Sequence, residues 1–368
     1  MSETRAATRV LFLTRRYPPS RGGAQTHAFK LYTYLDQRAP THLIALKAES
    51  VLHLAWFMPL TFLRAAIHLL LGRADIVYFA DGVVASVAWA LTPFKGRAKF
   101  CCSLFGLEMT FGNRWARNLM GAGVRCCDGI AVISDNSLQI AAKTWDIDAR
   151  RMRLIYLGAE PEELPEDRDA ALRQAFEQKY GIDFDQDRVV LNLGRQVPRK
   201  GVAAFVKHGL ALLDPDIKVL IVGGGPDAVR IALGRDKLEH PERVLLLGVL
   251  DDDVCSMLRR HCDLFLMPNV TTPGDVEGYG IAPLEAMYFG TPVVAFAVDA
   301  LVEAVREGGW LVPPGDYQGF AATVHAYYAL SPAQRTEVDT QTREYCLREY
   351  GWDTASARYA ELFEEIRS

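Results

Sequence analysis

Little in this chain of 368 residues marks it for secretion or for nucleic acid. Near the N-terminus the apolar run is only "VLFL", too short for the apolar region of a signal peptide, so a cytoplasmic setting is expected. The formal charge is −4, from 41 Lys/Arg against 45 Asp/Glu, which argues against a protein built to neutralise a phosphate backbone; no nucleic-acid partner is expected. Seven cysteines, among them the adjacent pairs Cys101-Cys102 and Cys126-Cys127, form neither a C-x-x-C metal pattern nor an even disulfide framework, as suits a reducing compartment. Low-complexity tracts and short-period repeats are absent as well. The acid run Asp251-Asp252-Asp253 has no matching His or carboxylate pattern nearby, so it reads as a helix N-cap with charges favourable to the dipole, and no metal is expected.

What is present fills two domains of ordinary size. Residues 1–160 hold 20 Lys/Arg against 11 Asp/Glu, a net +9, and residues 161–368 hold 21 against 34, a net −13. From Arg9 onward, short runs that are apolar throughout alternate with longer amphipathic segments: "RVLFLTR", "THLIALK", "DIVYFA", "KFCCSLFG", "GIAVIS" and "MRLIYLG". Such runs mark strands covered on both faces, joined by crossover helices in a parallel sheet. After the Pro/Glu/Asp-rich linker "GAEPEELPEDRD" the alternation restarts with "RVVLNLGR", "KVLIVGGG", "RVLLLG", "DLFLMPN", "PVVAF" and "GWLVP". The fold class is therefore α/β, with two Rossmann-like doubly wound domains over 1–165 and 166–350, facing across a cleft where the carboxyl ends of both sheets converge. The last segment, 351–368, is an amphipathic helix with Asp353 or Thr354 as its N-cap.

Several loops could carry chemistry. Gly22-Gly23 immediately precede a helix after the first strand, either as a plain tight turn or as a backbone approach to phosphate at a helix N-terminus. Arg195 and Lys200 share one strand-to-helix loop; a guanidinium fork and a mobile ammonium suit a diphosphate, although solvated loop charges would look the same. Gly223, Gly225 and Ala228 form a G-x-G-x-x-A arrangement, but Pro226 opens the helix and no acid clearly ends the next strand, so a close-packed turn is the better reading than a dinucleotide site. In "DVEGYGIAPLEAMYFGTPVVAF", Glu277 and Glu285 stand with seven residues between them at the mouth and in the first turns of an apolar helix. Carboxylates facing sugar or ribose hydroxyls would be satisfied by ligand there; an N-cap and a surface carboxylate are the plainer alternative.

Together the Gly-Gly loop, Arg195 and Lys200, the E-x7-E pair and the helix after "YGWD" resemble the retaining glycosyltransferases of the GT-B fold, family 4-like, across nearly the whole chain. That resemblance implies a nucleotide-sugar donor, UDP- or GDP-linked, and no cofactor. It implies that Arg195 and Lys200 hold the diphosphate and act with Glu277 in catalysis. Glu277 and the amides of Gly278, Tyr279, Gly280 and Ile281 would contact the transferred sugar, Glu285 the ribose, and Gly22-Gly23 the phosphate end from the acceptor-side first domain. The last helix would pack back on that domain. One departure is plain: where many relatives carry a histidine in an H-G-x-[DE] stretch, this chain reads "LFGLE", with Phe105 in the histidine's place and Glu108 retained on the acceptor or sugar side.

The resemblance implies transfer of a hexose to a glycan, lipid-linked or small-molecule hydroxyl. The alternatives are a non-catalytic nucleotide-sugar-binding protein and a nucleotide-sugar epimerase on the same fold. An anionic membrane surface is a candidate partner, with a peripheral place on its inner face. The segment "VLHLAWFMPLTFLRAAIHLLLG" has the single charge Arg64, yet Pro59 and Arg64 interrupt it and the βα alternation requires a crossover helix, so core burial and interfacial docking are weighed there, not spanning.

Overall fold

The computed structural model describes residues 7–20, 23–47, 51–106, 108–109, 111–161, 163–272 and 280–368. It contains two compact units, residues 1–158 with 350–368, and residues 159–349.

The first unit carries the strands β1 (Val10–Thr14), β2 (Thr41–Ala45), β3 (Ile76–Phe79), β4 (Lys99–Leu104), β5 (Gly129–Val132) and β6 (Met152–Leu154). They form one parallel sheet in the order β2-β1-β3-β4-β5-β6, with Val10 opposite both Thr41 and Ile76. Every residue of β1, β3 and β5 is buried, as expected of strands covered on both faces. One face is covered by α2 (Leu54–Leu70), α3 (Gly82–Ala85), α4 (Ala88–Leu91), α5 (Arg114–Arg125) and α6 (Asp135–Trp145). The other is covered by α1 (Gly23–Arg38) and the last helix of the chain, Trp352–Arg367.

That last helix is held to the first unit by side chains far apart in sequence. The Tyr359 and Tyr78 hydroxyls both meet the Ser103 hydroxyl on β4, at 2.7 and 2.6 Å. Gly158 leaves room for the Trp352 indole, and Arg38 of α1 pairs with Asp353 at 2.6 Å. Its N-cap is Gly351, neither Asp353 nor Thr354: Asp353 lies in the first turn, where it serves the dipole and Arg38 instead of the backbone.

Opposite faces of α2 differ from a simple core helix. Phe57, Thr61, Ala65, Ala66 and Leu69 are buried, whereas an equally apolar stripe lies exposed on the other side, so core burial accounts for only half of the segment's character. Among the described residues no helix is long and apolar enough to cross a membrane.

The second unit repeats the design. It contains α7 (Glu166–Tyr180), β7 (Arg188–Leu193), α8 (Val202–His208), β8 (Ile217–Val222), α9 (Ala228–Arg235), β9 (Val244–Gly248), α10 (Asp252–His261) and β10 (Leu264–Met267). It continues through α11 (Ile281–Tyr288), β11 (Val293–Phe296), α12 (Leu301–Val305), β12 (Gly309–Val312), α13 (Tyr317–Tyr328) and α14 (Pro332–Tyr350), and α15 is the last helix already described. The parallel sheet runs β12-β11-β10-β7-β8-β9, so its order reverses between β7 and β10. Asp251 takes the N-cap position of α10 without a side-chain cap bond; Asp252 and Asp253 occupy the first turn, and Asp253 pairs with Arg168 of α7. Glu163 of the linker accepts from the Tyr288 hydroxyl at 2.5 Å and faces Arg343, which ties the linker's second half into this unit.

Candidate functional site

In an open parallel sheet a ligand lies beyond the carboxyl ends of the strands where the strand order reverses. In the second unit that place is bounded by the loops after β7 and β10, and the loop after β7 is where Arg195 and Lys200 stand.

This loop is pinned from three sides. The Gln196 amide N–H donates to Gly224 O at 2.9 Å, and Asp227 N–H donates to Gln196 O at 3.0 Å, which locks it to the turn after β8. The Gln196 side chain is buried and donates through Nε2 to Gly194 O and Val222 O, at 3.0 and 3.1 Å. On the other flank Val270 N–H donates to Arg199 O at 2.9 Å. Gly201 ends the loop with φ +67, and a Cβ there would overlap the Pro268 carbonyl oxygen, so only glycine fits. Gly223 and Gly225 have the same kind of reason, since a side chain on either would run into the backbone of Gly194 or Gln196. The G-x-G-x-x-A glycines thus serve close loop packing.

Within this frame Arg195 is exposed. Lys200 is buried, not solvated, and its Cε lies 3.9 Å from the place a Cβ would take on Gly194. Its stem therefore folds back to the end of β7 and brings the ammonium toward the residue that precedes Arg195. Two cations on one loop at a switch point suit an anion with more than one charged group.

Beyond β10, Gly280 caps α11 in the left-handed region and Ile281 opens it, 40 % exposed. Glu285, one turn in, has a protein partner: Arg259 of α10 reaches its Oε2 at 2.6 Å. Burial pushes the Glu285 carboxyl above its ordinary range and the Arg259 cation opposes that. Gly22, Glu277, Gly278 and Tyr279 lie outside the described residues. Gly23 is the first residue of α1.

In the first unit the strand order reverses between β1 and β3, and a polar cluster stands at those strand ends. Asp81 caps α3 by accepting from Val84 N–H at 2.9 Å, and Arg15 after β1 pairs with it at 2.8 Å. Glu108, buried nearby, accepts from the Phe105 N–H at 3.2 Å. Burial and the Asp81 charge push the Glu108 carboxyl up to about 7, against the pull of backbone N–H donors including Phe105 and Gly82. Phe105 is half-buried, and the edge of its ring meets His27 of α1, with centroids 5.4 Å apart at 83°. His27 is only 5 % exposed, has no hydrogen-bond partner on either ring nitrogen among the described residues, and is held by burial at about 3.

Sequence reasoning did not single out Arg15, Asp81, Gln196, Arg259 or His27. Asp81-Gly82 directly after an apolar run was a legible cap signal. Nothing local could link Arg259 to Glu285 or His27 to Phe105. Among the described residues no group of three or more His, Cys, Asp and Glu side chains could hold a metal ion.

The family described as "Glycosyl transferases group 1" matches residues 173–344, the body of the second unit. A phosphatidyl-myo-inositol mannosyltransferase of Mycobacterium leprae is 29 % identical over 59 % of this chain, and the match spans 57 % of that relative's length. A GDP-mannose-dependent alpha-(1-6)-phosphatidylinositol monomannoside mannosyltransferase of Mycolicibacterium smegmatis is 26 % identical over 97 % of this chain and 99 % of its own. Among solved structures, Anabaena Alr3699/HepE in complex with UDP superposes with a TM-score of 0.70 at 20 % identity, over 97 % of this chain and 100 % of that one, a likeness of fold. Two doubly wound sheets and these matches agree on the fold: the chain has the two-unit GT-B architecture, and its second unit matches the glycosyl transferases group 1 family over residues 173–344.

Proposed function

We propose that the chain is an enzyme that moves a hexose from a UDP- or GDP-linked donor to a hydroxyl acceptor, with retention and without a metal. The observation that carries this reading is that the exposed Arg195 and the buried Lys200 stand on one rigid loop after β7, at the switch point of the sheet. Departure of a nucleoside diphosphate leaves negative charge on its phosphate oxygens and positive charge on the anomeric carbon. Arg195 forks onto the phosphate oxygens and the Lys200 ammonium adds a point charge, both held in place before the bond breaks. The N-terminus of α11, opened by Gly280 and Ile281 after the neighbouring strand β10, supplies amides and positive potential. Glu277, outside the described residues, takes the role of countering the developing sugar cation. Arg259 fixes Glu285 through Oε2 and opposes the effect of burial on its carboxyl, and Glu285 takes the ribose hydroxyls. Similarity to mannosyltransferases named for phosphatidylinositol acceptors favours a lipid-linked hydroxyl, met at an anionic membrane surface.

Replacing Arg195 or Lys200 with Ala should weaken binding of free UDP or GDP about 10- to 100-fold, the loss expected for a charge-assisted hydrogen bond. Glu277→Gln should leave that affinity in place and depress turnover. Calorimetric titration of the diphosphate, with mass spectrometry of products from a panel of UDP-, GDP- and ADP-sugars, measures both. Unchanged diphosphate affinity in both Ala variants removes the assignment. Phe105 is the observation that favours a second reading, a binding protein without turnover; tight donor binding with no product across the panel would establish it, and a sugar isomer formed without acceptor would establish an epimerase.

A further inference from the structure

The exposed face of α2 is a continuous apolar stripe. Trp56, Leu60, Leu63, Ile67 and Leu70 follow one another at intervals of four, three, four and three residues, so all five project from one side of the helix. Trp56 is 51 % exposed, Leu63 55 % and Leu70 69 %. This is the side opposite the core-facing Phe57, Thr61, Ala65 and Leu69, which already secure the helix to its sheet. The stripe therefore does nothing for the fold of the unit, and keeping five large apolar side chains in water is unfavourable.

The surrounding charge identifies what covers it. Residues 50–127 contain eight Lys/Arg and three acids, Asp75, Asp81 and Glu108. None of the three acids is exposed: Asp81 and Glu108 are buried, and Asp75 is half-buried and paired with Arg9. Arg64 and Arg73 are exposed beside and just beyond the stripe. On the neighbouring helices of the same layer Trp89 of α4 and Trp115 of α5 are exposed, as is Phe111 in the loop before α5, with Arg97 and Arg114 close to them in sequence. Large apolar and indole side chains among cations, with no exposed acid among the described residues of 50–127, fit a sheet of anionic headgroups over acyl chains. A protein partner would have to supply an apolar groove rimmed by acids alone.

We infer that the outer face of α2 lies in the plane of an anionic membrane, with Trp56, Leu60, Leu63, Ile67 and Leu70 at the acyl boundary and Arg64 and Arg73 at the headgroups. The inference deepens the lipid-acceptor reading and rests on it for its purpose.

The test is sedimentation of the full chain with phosphatidylcholine vesicles, with and without phosphatidylglycerol, at low and high salt. Binding is expected to the anionic vesicles at low salt, to fall at high salt, and to be weak on phosphatidylcholine alone. Leu63→Glu with Ile67→Glu should cut partitioning at least about 10-fold, and Arg64→Gln roughly fivefold, the share of one basic residue at such a surface. Both positions are exposed, so thermal unfolding of the variants should match the parent. Three results would overturn the inference: no binding of the parent to anionic vesicles at low salt, a double variant that binds like the parent, or concentration-dependent self-association that the double variant abolishes while neither form binds vesicles. Nucleotide-sugar turnover with a water-soluble acceptor, measured without vesicles, tests the transfer reading separately, so each can fail alone.

Discussion

His27 offers a quantitative test of the environment around Phe105. Its imidazole ordinarily titrates near 6.5, and in the folded chain burial holds it at about 3, because no partner among the described residues offsets the solvation lost by the cation. The folded state therefore stays neutral where the unfolded chain takes up a proton. Stability is unaffected well above 6.5 and is lost as the pH falls from there toward the folded value. By about pH 5 the loss from this group is ~2 kcal/mol, from one and a half units of pH at 1.36 kcal/mol each. For a unit of under 200 residues that is about 4–8 °C in Tm. His27→Phe keeps a ring against Phe105 and Trp352 and removes the titrating group; His27→Leu does so with less volume. All other groups titrate alike in parent and variants, so the difference in Tm between about pH 7.5 and about pH 5 isolates this one. Both variants should lose part of the acid sensitivity. Parent and variants with the same pH dependence, or an imidazole resonance titrating near 6.5 in the native protein, would refute the reasoning.

Two further substitutions probe the loops. Gly201→Ala forces a Cβ onto the Pro268 carbonyl at a left-handed φ and should cost at least ~2 kcal/mol of the second unit's stability, with weaker diphosphate binding; urea unfolding and calorimetry check both, and a parent-like variant would mean the loop is not rigid. Phe105→His places a second imidazole beside His27 and should change sugar preference or turnover several-fold without unfolding the chain; a variant identical to the parent across the donor panel would show that Phe105 stands away from the reaction.

Much of the architecture was legible because burial leaves a local trace. Each of the twelve apolar runs became a strand, and the segments between became helices, since a strand covered on both faces must be apolar at every position. The loop holding Arg195 and Lys200 could be named for the same reason: it follows a buried strand and precedes a helix. Residues 51–72 show the limit of such reasoning. Apolar content marked a helix, but the core accepts only one side of it, and which side depends on the helices and sheet it meets.

The sequence by itself determined two parallel α/β repeats, the place of each strand and the chemical types at each loop, all consequences of periodicity within a few neighbouring residues. Only the tertiary structure decided which distant groups meet: Glu285 with Arg259, Arg15 with Asp81, His27 with Phe105, and the last helix with β4 through Ser103. These contacts follow from strand order and helix packing. A chain of alternating strands and helices admits several strand orders with the same local pattern, so the pairs became fixed when long-range burial selected one of them.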